Sequence, residues 1–112
     1  MKISVIIPNW NGMKFVGMCL DSLAHSDFDS YEVIVVDNGS VDGSREMIEK
    51  KYPEVRLIKN QSNMGFAIAC NQGIKASKGD YISLLNNDIE VEGNWLTKLY
   101  EGMERHPECG MG

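Results

Sequence analysis

Four short apolar runs, rich in β-branched residues, occur at positions 3–7 (Ile-Ser-Val-Ile-Ile), 33–36 (Val-Ile-Val-Val), 55–58 (Val-Arg-Leu-Ile) and 81–85 (Tyr-Ile-Ser-Leu-Leu), with helical patterns between them. Runs without the strict alternation of a half-wetted strand read as strands covered on both faces, and the intervening helices supply the crossovers that parallel pairing needs. The expected fold is therefore α/β, a doubly wound and mostly parallel sheet with helices on both faces. Pro8 closes the first run, since it cannot donate to a ladder. Phe15, Val16, Cys19, Leu20 and Leu23 then recur at helical spacing behind Asn11, which can cap them. Residues 44–51 form a second helix stopped by Pro53. Residues 65–77 form a third, with Phe66, Cys70 and Ile74 inward and Gly79 as its C-terminal cap. Leu96, Leu99, Tyr100 and Met103 mark a last helix, capped by Asn94.

At 112 residues the chain has the length of one domain. Eleven Lys and Arg against 16 Asp and Glu give a net charge of −5, the wrong sign for attraction to a phosphate backbone, so nucleic acid is not an expected partner. Cys19, Cys70 and Cys109 are widely spaced, with neither a Cys-x-x-Cys pair nor a His in a zinc-ligand pattern. They read as reduced thiols of a cytoplasmic protein. The apolar start is shorter than the roughly 7–15 residues of a signal-peptide core, and no run approaches the roughly 18 of a spanning helix.

Right-handed crossovers gather the C-terminal ends of parallel strands along one edge, where ligands of such sheets bind. That edge should collect Pro8-Asn9-Trp10-Asn11, Asp37-Asn38-Gly39, residues 60–63 and Asn86-Asn87-Asp88. The first turn has neither Gly-x-Gly-x-x-Gly nor a P-loop, nor the paired acids of a phospho-acceptor domain. Two carboxylates, Asp37 and Asp88, stand among amides. One can accept from a nucleotide's imide or hydroxyl groups, and the other can hold a divalent cation on a diphosphate. Each also has a plainer reading, Asp37 as part of an ordinary turn and Asn86-Asn87-Asp88 as backbone satisfaction at a strand end. Trp10 and Trp95 read as packing residues, His25 and His106 as helix-end charges, and Lys14, Lys59, Lys75 and Lys78 as solvated surface. Ala67, Ala69, Cys70 and Gly73 read as a small-residue face that lets a helix approach the sheet.

The four motifs together, Ile-Ile-Pro-Asn-Trp-Asn-Gly, Val-Ile-Val-Val-Asp-Asn-Gly-Ser-Val-Asp-Gly-Ser, Asn-Met-Gly-Phe-Ala-Ile-Ala-Cys-Asn-Gln-Gly and Gly-Asp-Tyr-Ile-Ser-Leu-Leu-Asn-Asn-Asp, closely resemble the inverting family-2-type glycosyltransferases of the A-type fold. The likeness covers nearly the whole chain, and the Asn-Asn-Asp form is similar to a rhamnosyltransferase-like branch. It implies a nucleotide pocket lined by Pro8, Asn9 and Asn11, with Asp37 on a pyrimidine base and Asn38 and Gly39 beside it. Asn63, Gly65 and Asn71 match the loop and helix that close over the nucleotide. Asn86 and Asn87 precede Asp88, which takes the place of the metal ligand for Mg or Mn. Asn86 stands where many members have Asp, and Asn71 where many have Arg.

The resemblance further implies a UDP- or dTDP-sugar donor, a saccharide or lipid-linked acceptor, and a cytoplasmic role in cell-envelope polysaccharide synthesis, at the inner membrane face in a longer chain. Members continue into an acceptor-binding half that carries the catalytic base. This chain is thus expected to hold the donor-binding half, with the base beyond Gly112 and an unpaired sheet edge that favours self-association. The competing reading is a noncatalytic nucleotide-binding or interaction module of the same fold. A sugar-phosphate nucleotidyltransferase would need a Gly-rich, basic loop where residues 8–12 stand.

Overall fold

The computed structural model describes residues 2–105. The elements alternate as β1 (Ile3–Asn9), α1 (Val16–Ala24), β2 (Tyr31–Asn38), α2 (Ser44–Lys51), β3 (Arg56–Asn60), α3 (Phe66–Ala76), β4 (Tyr81–Leu84) and α4 (Trp95–Arg105). The sheet has the order β3-β2-β1-β4 and every pairing is parallel, which is the doubly wound arrangement expected of the pattern. Ile3 is in register with Tyr31 on one side and Tyr81 on the other, and Asn38 with Asn60. The chain moves outward from β1 through β2 to β3, then crosses back to place β4 on the far side of β1. The order therefore reverses between β1 and β4, where their strand ends leave a crevice.

Strand alternation sorts the core into two layers. Ile3, Val5, Ile7 and Val35 face α1, α2 and α4 and pack with Val16, Leu20, Leu23, Ile48 and Leu96. Ile6, Ile34 and Val36 face the other way, onto Ala69 and the partly buried Ile74 of α3. Each such aliphatic side chain contributes about 1.5–3 kcal/mol by leaving water. Gly73 permits the close approach of α3, since a Cβ there would stand 2.5 Å from Ile6 Cγ2. Cys70 and Ala69 belong to that small-residue face, whereas Ala67 is exposed.

At the opposite end of the sheet, Glu32 fastens three elements. Its carboxylate accepts from Ser4 Oγ at 2.6 Å, Lys78 N at 2.6 Å and Arg56 Nη1 at 3.0 Å. Burial works to raise its pKa, but these donors together outweigh it and hold the carboxyl below its ordinary value.

Several local expectations need correction. β1 does not stop before Pro8: it runs on to Asn9, with Pro8 opposite Val36. Tyr81 N donates to Lys2 O and Leu85 N to Ile6 O, so even-numbered β1 residues turn toward β4, and Pro8 lies past the last registered β4 pair, Ile6 with Leu84. Its missing N–H thus costs no bond of the registered ladder. Asn11 does not cap α1. The helix begins at Phe15 without a side-chain cap, and Asn11 has a left-handed φ of 50° and is bonded to the turn after β2. Phe15 and Phe66, expected inward, are 48% and 60% exposed, because each sits at the very start of its helix, ahead of the turns that face the sheet. α3 ends on Ser77. Gly79 does not cap it but touches β1, where a Cβ would stand 2.6 Å from Ser4 N. His106 and Cys109 lie outside the described residues. Cys19 and Cys70 are free thiols, and no described helix is long and apolar enough to cross a membrane.

Candidate functional site

A polar crevice of about 320 Å³ opens where the strand order reverses, lined by residues of four different strand ends. Pro8, Asn9 and Trp10 come from β1, Asn38 from β2, Asn63 and Phe66 from the loop after β3 and the start of α3, and Asn86, Asn87 and Asp88 from the segment after β4. Of the residues singled out in the sequence, the crevice brings together Pro8, Asn9, Asn38, Asn63, Asn86, Asn87 and Asp88. Phe66 is an addition, and Trp10, placed at this edge by the topology, lines the crevice instead of packing in the core. Trp10 is 54% exposed and not the packing residue its size suggested. Its place at the end of the first strand was the signal that pointed to it. A larger groove of about 410 Å³ lies at the other end of the sheet, over Leu20, Leu23, Tyr31 and Val55, without the convergent amides.

Asp37, Asn11, Gly39, Gly65 and Asn71 do not line the crevice. Asp37 is fully buried beneath it. Its Oδ1 accepts from Asn9 Nδ2 at 2.9 Å and from Ser40 Oγ at 2.6 Å, and its Oδ2 from Ser40 N at 2.9 Å. Asn11 binds the same turn, its N–H donating to Ser40 Oγ and its Oδ1 accepting from Val41 N, both at 2.9 Å. Gly39 has a φ of 79° and a backbone contact that leaves no room for a side chain, with Ser62 Cα 2.7 Å from where its Cβ would be. Gly65, with φ 90°, starts α3, and Asn71 is exposed on that helix.

The crevice wall on the β2 side is held by amides. Asn38 Nδ2 donates to Gly65 O at 3.2 Å, while Asn38 Oδ1 accepts from Asn60 Nδ2 at 3.0 Å and Met64 N at 3.3 Å. Asn60 and Gln72 exchange hydrogen bonds of 2.7 and 2.9 Å. This chain fixes the loop that carries Asn63 and Phe66. On the β4 side, Cys19 Sγ lies 3.8 Å from Asn86 O, within reach to donate to it. Burial first, and then the nearby Asp88 carboxylate, push that thiol up to about 11, so it stays neutral and is not a nucleophile.

The donor set tests whether a divalent cation fits. Among the described residues no cluster of three or more His, Cys, Asp or Glu side chains could hold one. The crevice instead offers one exposed carboxylate, Asp88, flanked by amide oxygens. Mg²⁺ and Mn²⁺ are commonly held by one or two carboxylates when phosphate oxygens and water complete the shell. The residues therefore fit a cation that arrives with a diphosphate, not a dedicated protein cage.

A parallel sheet in this order, with a polar crevice at the reversal point, defines a doubly wound α/β domain that binds its ligand at the switch point. Residues 4–111 match the model for glycosyl transferase family 2, and the chain belongs to that family. It is 31% identical over 105 residues to the glycosyltransferase GlyG of Streptococcus pneumoniae serotype 4, covering 91% of this chain and 35% of that protein. It is 36% identical over 106 residues to a poly(ribitol-phosphate) beta-glucosyltransferase of Bacillus spizizenii, covering 89% of this chain and 17% of the relative. The crystal structure of S. aureus TarS 1-349 in complex with UDP superposes with a TM-score of 0.86 at 28% identity, over 96% of this chain and 33% of that one. The chain thus spans about a third or less of the length of these proteins.

Proposed function

We propose that the crevice binds the nucleotide diphosphate of a UDP- or dTDP-sugar, and that the protein serves in transfer of that sugar, with inversion, to a saccharide or lipid-linked acceptor. The observation that carries this is the meeting of Asn38, Asn63, Trp10, Phe66 and Asn86-Asn87-Asp88 at the reversal point of the sheet. The UDP complex of the similar TarS structure supports a uridine donor.

The exposed rings of Trp10 and Phe66 offer apolar surface on which a base can stack. Asn63 and the amides after β4 offer donors and acceptors to ribose and diphosphate. Asp88 would hold a divalent cation with the diphosphate. Such a cation would supply positive charge against the leaving diphosphate. No cationic side chain lines the crevice, so nothing in that lining replaces the metal's charge. With Asp88 committed to the cation, no other carboxylate of the lining is left as general base. We place the base outside the crevice lining.

The test is a thermal-shift panel of UDP, dTDP, GDP and ADP, each with Mn²⁺ and with chelator. UDP or dTDP with Mn²⁺ should stabilise most, by about 2.7 kcal/mol at 100 times the dissociation constant. Equal shifts from all four nucleotides, or none, would refute a pyrimidine-diphosphate site.

A further inference from the structure

Asn9 joins the floor of the crevice to the Asp88 segment. It is 1% exposed, its Nδ2 donates to Asp37 Oδ1 at 2.9 Å and Ser44 Oγ at 3.1 Å, and its Oδ1 accepts from Asn87 Nδ2 at 2.9 Å. Polarity runs one way along this chain. Both Asp37 oxygens accept, from Asn9 and from Ser40, so Asp37 fixes the NH₂ end of Asn9 toward itself. Asn9 must then turn its oxygen to the neighbour on the other side, and Asn87 can answer only with its NH₂. The oxygen of Asn87 is the end of its amide left for a ligand, one residue from Asp88.

Gly12 adds an independent observation. A Cβ there would collide with both Asn87 Nδ2 and Asn9 Oδ1, the two atoms of that hydrogen bond. The backbone of the first turn thus lies directly against the bond, which occupies the space a side chain at position 12 would need. Gly12 O also accepts from Phe15 N at 2.9 Å and Val16 N at 2.8 Å, which ties this backbone to the start of α1.

We infer that Asp37, Asn9 and Asn87, roofed by Gly12, form a polarity relay that orients the Asn87 amide and so sets the segment carrying Asp88 for its cation. Asn87 is then a positioning residue that supports Asp88, and Gly12 is a glycine because a side chain would break the relay. The inference rests on the cation role proposed for Asp88. Partners of a metal-bearing segment typically change metal affinity by roughly 10–100-fold when removed.

The experiment measures UDP affinity with Mn²⁺ and with chelator in the wild type, Asn87→Ala, Gly12→Ala and the double variant. Each single variant should lose about tenfold in the Mn²⁺-dependent part of UDP affinity, and Gly12→Ala, which lies outside the crevice lining, should change affinity in chelator by less than about twofold. The double variant should lose no more than either single one, because both break the same bond. Unchanged Mn²⁺ dependence in Asn87→Ala, or losses that multiply in the double variant, would overturn the relay. If UDP binding by the wild type ignores Mn²⁺, the cation role of Asp88 fails instead. Hydrogen exchange of the nucleotide-free peptide over residues 85–91 then judges the relay alone. Faster exchange in Gly12→Ala and Asn87→Ala supports it, and exchange at the wild-type rate in both refutes it.

Discussion

A carboxylate wholly enclosed by protein must find its donors inside the fold, and Asp37 finds them in Asn9 and Ser40. Its contribution is therefore structural first. Asp37→Ala should strip buried donors of their acceptor and cost on the order of 3 kcal/mol, seen as a lower urea midpoint with an unchanged slope. Wild-type stability combined with lost base discrimination would return Asp37 to direct contact with the nucleotide. The distinction between Asp37 and Asn38 was hidden in the sequence for a simple reason. Neighbours on a strand point to opposite faces, and a polar pair at a strand end gives no sign of which member is floor and which is wall. Asn87 was equally opaque, since its partner Asn9 is 78 positions away. Asn86-Asn87-Asp88 as a cluster was legible, because parallel topology alone sends every strand end to one edge.

The elements themselves were largely written in their periodicity, and residues 44–51 emerge as helix α2 with the expected limits. Strand limits were less legible. β2 and β3 continue into Asn38 and Asn60, polar residues that the apolar pattern omits but whose side chains bond across the two strands. Helix starts were misjudged where backbone geometry, not a side-chain cap, begins α1. Glu32 is the element-scale fastening that only the structure discloses, since its partners come from β1, β3 and the loop before β4. The pH dependence follows from its lowered pKa. A carboxyl held below its ordinary value of 4.5 contributes its stability fully above the unfolded value and loses it as pH falls through the folded one. Glu32→Gln should therefore melt below wild type at pH 7, and the gap should narrow as both proteins are taken below about pH 4. A gap in melting temperature that stays constant across that range would show that the charge of Glu32 is not what joins the strands.

For the whole molecule, the two outer strands of the described sheet differ in how they meet solvent. β3 carries Arg56 and Lys59, charges that discourage another strand from pairing there. β4 has the sequence Tyr-Ile-Ser-Leu, with no charge and no proline, and among the described residues it pairs with β1 alone. Because Tyr81 N faces β1, the amides of Ile82 and Leu84 turn to the open side and offer a template for a further strand. Opposing this is the net charge of −5, which makes two copies repel. The balance should shift with salt, since the screening length falls from about 30 Å at 0.01 M to about 8 Å at 0.15 M. We expect light scattering to show a mass that rises with protein concentration, and more steeply at the higher salt. Amide exchange at Ile82 and Leu84 should slow in step with that rise. A mass that stays that of one chain at every concentration and both salts would show that this edge is covered or too short to recruit a partner.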